Sequence, residues 1–281
     1  MRPPAFPIFT VPAGHGIVDE AFLEGKSIAA NCEDALVITD DFVAVIDGMS
    51  SPLASGGGPR SGRLFALGVA RAVQDLPSGI DARTAIDRIT EALASITVEH
   101  SGPSGAVAAI YSRTRGEVWR VGDIHVAIAG QEHPGEKAVD VAYGQFRAAI
   151  NAAQIAAGTS LDQILARDPG QEAAAELLRW QHHLANRETD YGYGVLNGTA
   201  VPTAYIEVME VPSGASVILA TDGYLGPAPS LEQAETELSA ALRADPACIG
   251  ELQGMGKGLR GRQAHPDDRT YVRLTHRGER A

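Results

Sequence analysis

The chain has 281 residues, 44% of them apolar and 21% charged, with a formal net charge of −12. That apolar share suits a folded globular chain rather than a disordered one, and the acidic balance argues against nucleic-acid or anionic-membrane partners. Two cysteines, Cys32 and Cys248, are too few for a disulfide scaffold and point to a reducing, cytoplasmic setting. No stretch approaches the roughly 18 apolar residues of a membrane span.

In chain order, residues 1–14 read as a Pro-punctuated edge segment around Ile8-Phe9-Thr10-Val11. The apolar, β-branched runs 35–39 and 42–46 flank Asp40-Asp41 and predict a hairpin. The second run ends at Asp47-Gly48, and a Ser/Gly/Pro loop follows to Pro59. A helix is predicted from near Arg60, with Phe65, Val69, Ala72 and Leu76 on one face. Another spans 81–98, where Ile86, Ile89, Leu93 and Ile96 form a buried stripe and Asp81 supplies the N-cap. Strands are predicted at 106–112, 117–121 and 125–129. Residues 131–200 are rich in Ala, Gln and Asn and read as a mostly helical, flap-like insert in a single domain over 1–281. Strands resume at 204–211 and 216–220, helices follow near 231–243 and 246–255, and a last strand covers 270–274. The loop 254–258 has the wrong spacing for a phosphate loop and is expected to be solvated. Strand runs broken by paired helices predict an α+β sandwich.

The acids carry the chemical information. Glu33-Asp34 precedes a strand, Asp47 and Asp222 each end one and are followed by Gly, Asp123 lies in a Gly-Asp turn, and Asp267-Asp268 precedes the last strand. Carboxylates at strand ends sit on a sheet rim where several can converge. Their repulsion calls for divalent cations, and oxygen donors select Mg²⁺ or Mn²⁺ over zinc. Ser50 and Ser104 have no base assigned by the sequence, which disfavours a serine hydrolase.

The motifs Asn31-Cys32-Glu33-Asp34, Val45-Ile46-Asp47-Gly48-Met49, Val121-Gly122-Asp123, Ala220-Thr221-Asp222-Gly223 and Asp267-Asp268-Arg269-Thr270 follow one another over most of the chain. In that order they resemble the metal-dependent protein phosphatases of type 2C, the PPM family, and Met49 resembles its bacterial members. The resemblance implies a four-layer αββα sandwich of two antiparallel sheets flanked by helix pairs. It implies a binuclear Mg²⁺ or Mn²⁺ centre with Asp47, Asp222 and Asp267 as the catalytic carboxylates. Asp47 would bridge both ions, the Gly48 carbonyl would bind the second, and Asp222 and Asp267 would hold the first. Glu33 and Asp34 would act through water, and Asp123 matches the position of a third, looser ion. The implied reaction is phosphomonoester hydrolysis by in-line attack of a metal-bridging hydroxide on phosphoserine or phosphothreonine in a protein.

Two positions depart from the family pattern. The phosphate-binding Arg corresponds to Ala29, and the His that follows Asp-Gly in many eukaryotic members is Met49. Arg60 and Arg63, with Lys26 as a further cation, are the candidates to bind substrate phosphate instead. The missing Arg keeps open a phosphatase for a small phosphorylated metabolite, and a catalytically silent binding module is the alternative from another class.

Overall fold

The computed structural model describes residues 8–10, 18–27, 31–50, 61–96, 104–261 and 263–278. Ala29, Arg60 and the loop 51–60 therefore lie outside the described residues. Two sheets pack face to face. The six-stranded sheet runs β1 (Ile8–Thr10), β3 (Ala35–Ile38), β4 (Phe42–Met49), β5 (Gly105–Ser112), β6 (Glu117–Val121) and β9 (Glu207–Glu210). The five-stranded sheet runs β2 (Val18–Glu24), β11 (Arg269–Thr275), β10 (Ser216–Ala220), β7 (His125–Ile128) and β8 (Gln131–His133). Every pairing is antiparallel except that of the three-residue edge strand β1 with β3, which is parallel.

The layers follow from alternation along the strands. Ala35, Val37, Ala44 and Ile46 face α1 (Ser61–Gln74) and α2 (Ala82–Leu93), packing on Phe65, Val69, Ile86 and Ile89. Their neighbours Leu36, Val43 and Val45 face the other sheet and meet Val217, Leu219, Val272 and Leu274. Both faces of β3 and β4 are thus covered, which is why these strands read as unbroken apolar runs. Asp81 caps α2 as predicted, its carboxylate accepting from the Thr84 amide at 3.0 Å.

Beyond the five-stranded sheet, α7 (Leu231–Ala244) lays Ala234, Leu238 and Leu242 on Ile218, Ala220 and Tyr271. The expected second helix at 246–255 does not form. The Asp245 carboxylate accepts from the amides of Ile249, Gly250 and Leu252, drawing the backbone into a compact turn that ends in a short 3-10 segment over 253–255. The layers are α, β, β, α, with a helix pair on one side and, among the described residues, α7 with this turn on the other.

Residues 131–133 pair with β7 as a strand rather than belonging to the helical segment. The helices there are α3 (Ala138–Ala156), α4 (Leu161–Arg167), α5 (Pro169–Ala173) and α6 (Ala175–Trp180). Before β9, residues 203–205 form a 3-10 turn, so that strand begins later than the sequence suggests.

Candidate metal centre

Strand register brings the acids to one end of the sandwich. Ala35 pairs with Ile46, so Glu33 and Asp34, just before β3, lie beside Asp47 and Gly48 on β4. Ala220 at the end of β10 pairs with Tyr271 near the start of β11 and with His125 at the start of β7. Asp222, Asp267 and Asp123 therefore share the corresponding rim of the second sheet. The β6–β7 turn that holds Asp123 crosses between the sheets.

The deepest carboxylates are held by the protein itself. Asp34 is 1% exposed, and its Oδ2 accepts from the hydroxyls of Thr221 at 2.9 Å and Thr270 at 2.7 Å. Asp268, 2% exposed, accepts the Glu33 amide at 3.0 Å and the Lys26 amide at 2.7 Å. These bonds tie the starts of β3 and β11 to the end of β10. Burial, then repulsion from Asp268, pushes Asp34 up to about 7.

Two glycines lock the rim from below. A Cβ on Gly48 would come within 2.7 Å of the Glu33 carbonyl, and one on Gly62 within 2.6 Å of a Glu33 carboxylate oxygen. The end of β4 and the first turn of α1 therefore touch backbone to backbone, as only glycine permits. Ser50 spans the same junction, donating to Glu33 and accepting the Gly62 amide at 3.0 Å. Ser50 is a supporting residue of the rim, a role that its sequence neighbourhood does not display.

Three ammonium groups enter the acid cluster from distant segments. Lys26 lies 2.7 Å from Asp267, 3.5 Å from Asp268 and 3.9 Å from Glu33. Lys137, at the N-cap of α3, lies 2.8 Å from Asp123 and 3.6 Å from Asp140. Lys257 pairs with the other oxygen of Asp267, so the loop 254–258 is part of the site and not the solvated loop expected. Burial favours a neutral Lys137, but Asp123 and Asp140 outweigh it and raise its pKa. Asp47 is driven well above the ordinary carboxylate range by its enclosed setting and by Asp222, Asp34 and Asp123. Asp222 is open to solvent at the rim yet crowded by protein; crowding acts against its charge, while Lys257, Lys137, His125 and Lys26 hold it ionised, below its usual value.

Asp47, Asp222 and Asp267 thus share one rim without closing on a single point. Among the described residues, no three carboxylate, imidazole or thiol groups form a ready ligand cluster. The lysines draw Asp267 and Asp123 toward themselves. Even so, the carboxylates of Glu33, Asp34, Asp47, Asp123, Asp140, Asp222, Asp267 and Asp268 outnumber the three ammonium groups. An all-oxygen donor set with this surplus of charge fits hard divalent ions.

Arg63 donates to the Cys32 carbonyl at 2.6 Å, which places its guanidinium beside the Glu33 segment. Met49 packs toward Val139, Tyr193 and Val195, so the Met in place of His fastens the helical segment to the end of β4. A cleft of about 400 Å³ opens there, lined by Gly122, Lys137, Tyr193, Tyr205 and Glu207 among others.

No protein-family model matches the chain, and no curated protein does. Among solved structures, it is similar to the catalytic domain of the serine/threonine protein phosphatase PstP in complex with two manganese ions, at 16% identity and a TM-score of 0.48 over 91% of this chain and 96% of that one. It is likewise similar to the Mycobacterium tuberculosis phosphatase PstP/Ppp, at 19% identity and a TM-score of 0.47 over 91% and 97% of the two chains. A PPM Ser-Thr phosphatase, MsPP from Mycobacterium smegmatis, in complex with cacodylate, matches at 14% identity and a TM-score of 0.45 over 92% and 99%. These likenesses run over 91–92% of the chain at 14–19% identity.

Proposed function

We propose that the acidic rim is a divalent-metal centre and that the protein is a Mg²⁺- or Mn²⁺-dependent phosphomonoester hydrolase acting on phosphoserine or phosphothreonine in proteins. One observation carries this reading: acids from five separate strand ends meet at one end of the sandwich in excess over the lysines that neutralise them. Asp47, the Gly48 carbonyl, Asp222 and Asp267 are the residues to hold two ions. Glu33 stands beside them, and Asp123 is the residue assigned to a third. Asp34 supports the centre from beneath, because Thr221 and Thr270 already claim its Oδ2. Bound there, the ions supply Lewis acidity toward water and toward a phosphoryl oxygen.

The chain's own groups do the rest. The Gly48–Gly62 contact fixes the carbonyl at the end of β4, and Lys137 holds Asp123 against α3. Met49 packs with Tyr193, Val139 and Val195 beside the end of β4. Arg63, whose guanidinium lies beside the Glu33 segment, is the cation assigned to substrate phosphate, and Arg63→Ala should mainly raise KM when chemistry is slow.

Purified protein should hydrolyse p-nitrophenyl phosphate with Mn²⁺ or Mg²⁺ and stop in chelator, and Asp47→Ala or Asp222→Ala should lose at least about 100-fold in kcat/KM. Undiminished turnover in both variants would overturn the assignment. Phosphopeptides should be cleaved in preference to small phosphorylated metabolites. The reverse preference would transfer the reading to a metabolite phosphatase.

A further inference from the structure

The three lysines at the rim are not equivalent. Lys26 has a side chain 12% exposed, touches three carboxylates, and is pinned by its own amide on Asp268. Lys137 is 10% exposed, bridges Asp123 and Asp140, and lies under the Tyr193 ring at 5.5 Å. Lys257 is 37% exposed and has one direct carboxylate partner, Asp267. It stands on a short loop turned by Gly256, left-handed at φ 65°, and seated at Gly258 against the Ala247 carbonyl.

Resting on the metal-centre reading above, we propose that Lys257 is a built-in competitor of the divalent ions. Its ammonium group occupies the outward oxygen of Asp267 and must swing away before an ion can take that carboxylate. The other oxygen remains committed to Lys26 at 2.7 Å and to the Asp268 amide at 2.9 Å, so Asp267 offers an ion one atom, the one Lys257 covers. A lysine that holds a ligand lowers the fraction of molecules competent to bind, and the apparent metal affinity falls by that fraction. Lys257 also faces Asp222 and Asp47, so its positive charge weakens an ion's hold on those ligands too.

The loop is tied to the helical segment as well. Gly256 sits against Tyr143 of α3, and a Cβ on Gly144 would run into the Gln253 backbone. Displacing Lys257 should therefore be felt at α3.

The test is Mn²⁺ binding to the full chain, measured by electron paramagnetic resonance of free Mn²⁺ and by calorimetry at fixed pH and salt. Lys257→Met and Lys257→Gln, shown to be folded by circular dichroism, should bind Mn²⁺ about tenfold more tightly than the unmodified protein, whereas Lys257→Arg should not. Equal or weaker binding by both neutral variants overturns the proposal. If the unmodified protein also hydrolyses p-nitrophenyl phosphate, that outcome leaves the phosphatase reading standing. Tighter binding by both variants without any hydrolysis supports the competitor and overturns the catalytic reading instead. No Mn²⁺ binding by any of the four proteins overturns both.

Discussion

A single added carbon decides whether the rim can form at Gly62. A Cβ there meets Glu33 and the Gly48 backbone at 2.6 Å, with no flexible neighbour to give way beyond the Glu33 carboxylate. Gly62→Ala should cost about 1–3 kcal/mol of stability by overpacking, read from urea unfolding. A cost under about 0.5 kcal/mol would place it with ordinary surface substitutions and sink the claim. His276, far from the rim, gives a second residue-scale expectation. Burial, then Arg113, lowers its pKa below the ordinary 6.5, and the ring stays neutral against the Tyr111 hydroxyl at 2.6 Å. With the folded value depressed, its contribution is complete above 6.5 and is lost as pH falls through the lowered folded value. Unfolding free energy should drop on acidification below pH 6.5, and His276→Gln should flatten that slope. An unchanged slope would assign the acid sensitivity elsewhere. The acids of the rim were legible because Asp-Gly after an apolar run marks a strand end. The ion pairs were not: Lys26 read as a cation for phosphate, Lys137 and Lys257 lie in unrelated segments, and only the fold brings the three to the rim carboxylates.

At the scale of elements, the helical segment is fastened by one buried ion pair. Arg147 of α3 is 1% exposed and Asp168 4% exposed, with Nε and Oδ2 2.9 Å apart. Nη1 and Nη2 donate to the carbonyls of Cys248 and Ala247, while Asn151 donates to Asp168 at 2.8 Å. Asp168 also ends α4 in a left-handed conformation and caps α5. Asp168→Ala leaves Arg147 charged and buried, so it should destabilise by about 3–5 kcal/mol. Hydrogen exchange should rise in α3, α4 and α5 together, and a loss confined to α5 would reduce Asp168 to a helix cap. None of this was visible in a segment legible only as Ala-rich and helical. The β3–β4 hairpin could be read directly because both its faces are buried and its residues are uniformly apolar. By contrast β2, with one face half-covered and acids along it, lacks any such run and escaped notice. Parallel β1 gave only three residues of pattern, too few to show a partner's direction.

For the molecule as a whole, the centre lies where the two sheets meet: Asp47 comes from the six-stranded sheet, Asp222 and Asp267 from the five-stranded one. An ion held by both would bind the folded chain and not the unfolded one, so its effect should be global. At 100 times its dissociation constant it should add about 2.7 kcal/mol, and a Tm rise of several degrees should follow. The crowding that suits the rim to the proposed ions is a cost to the protein alone, since Asp47 stands among Asp222, Asp34 and Asp123. Asp47→Asn keeps the shape and removes that repulsion. In chelator it should therefore melt at or above the temperature of the unmodified protein, although its response to Mn²⁺ should vanish. Calorimetric scans of both proteins, with chelator and with Mn²⁺, contain the answer. A variant that melts well below the unmodified protein in chelator would mean that Asp47 is there to hold the sandwich together. One that keeps the full Mn²⁺ shift would place the ions on other carboxylates. The combination expected here, stability gained and metal response lost, is the mark of a residue retained for its site rather than for the fold.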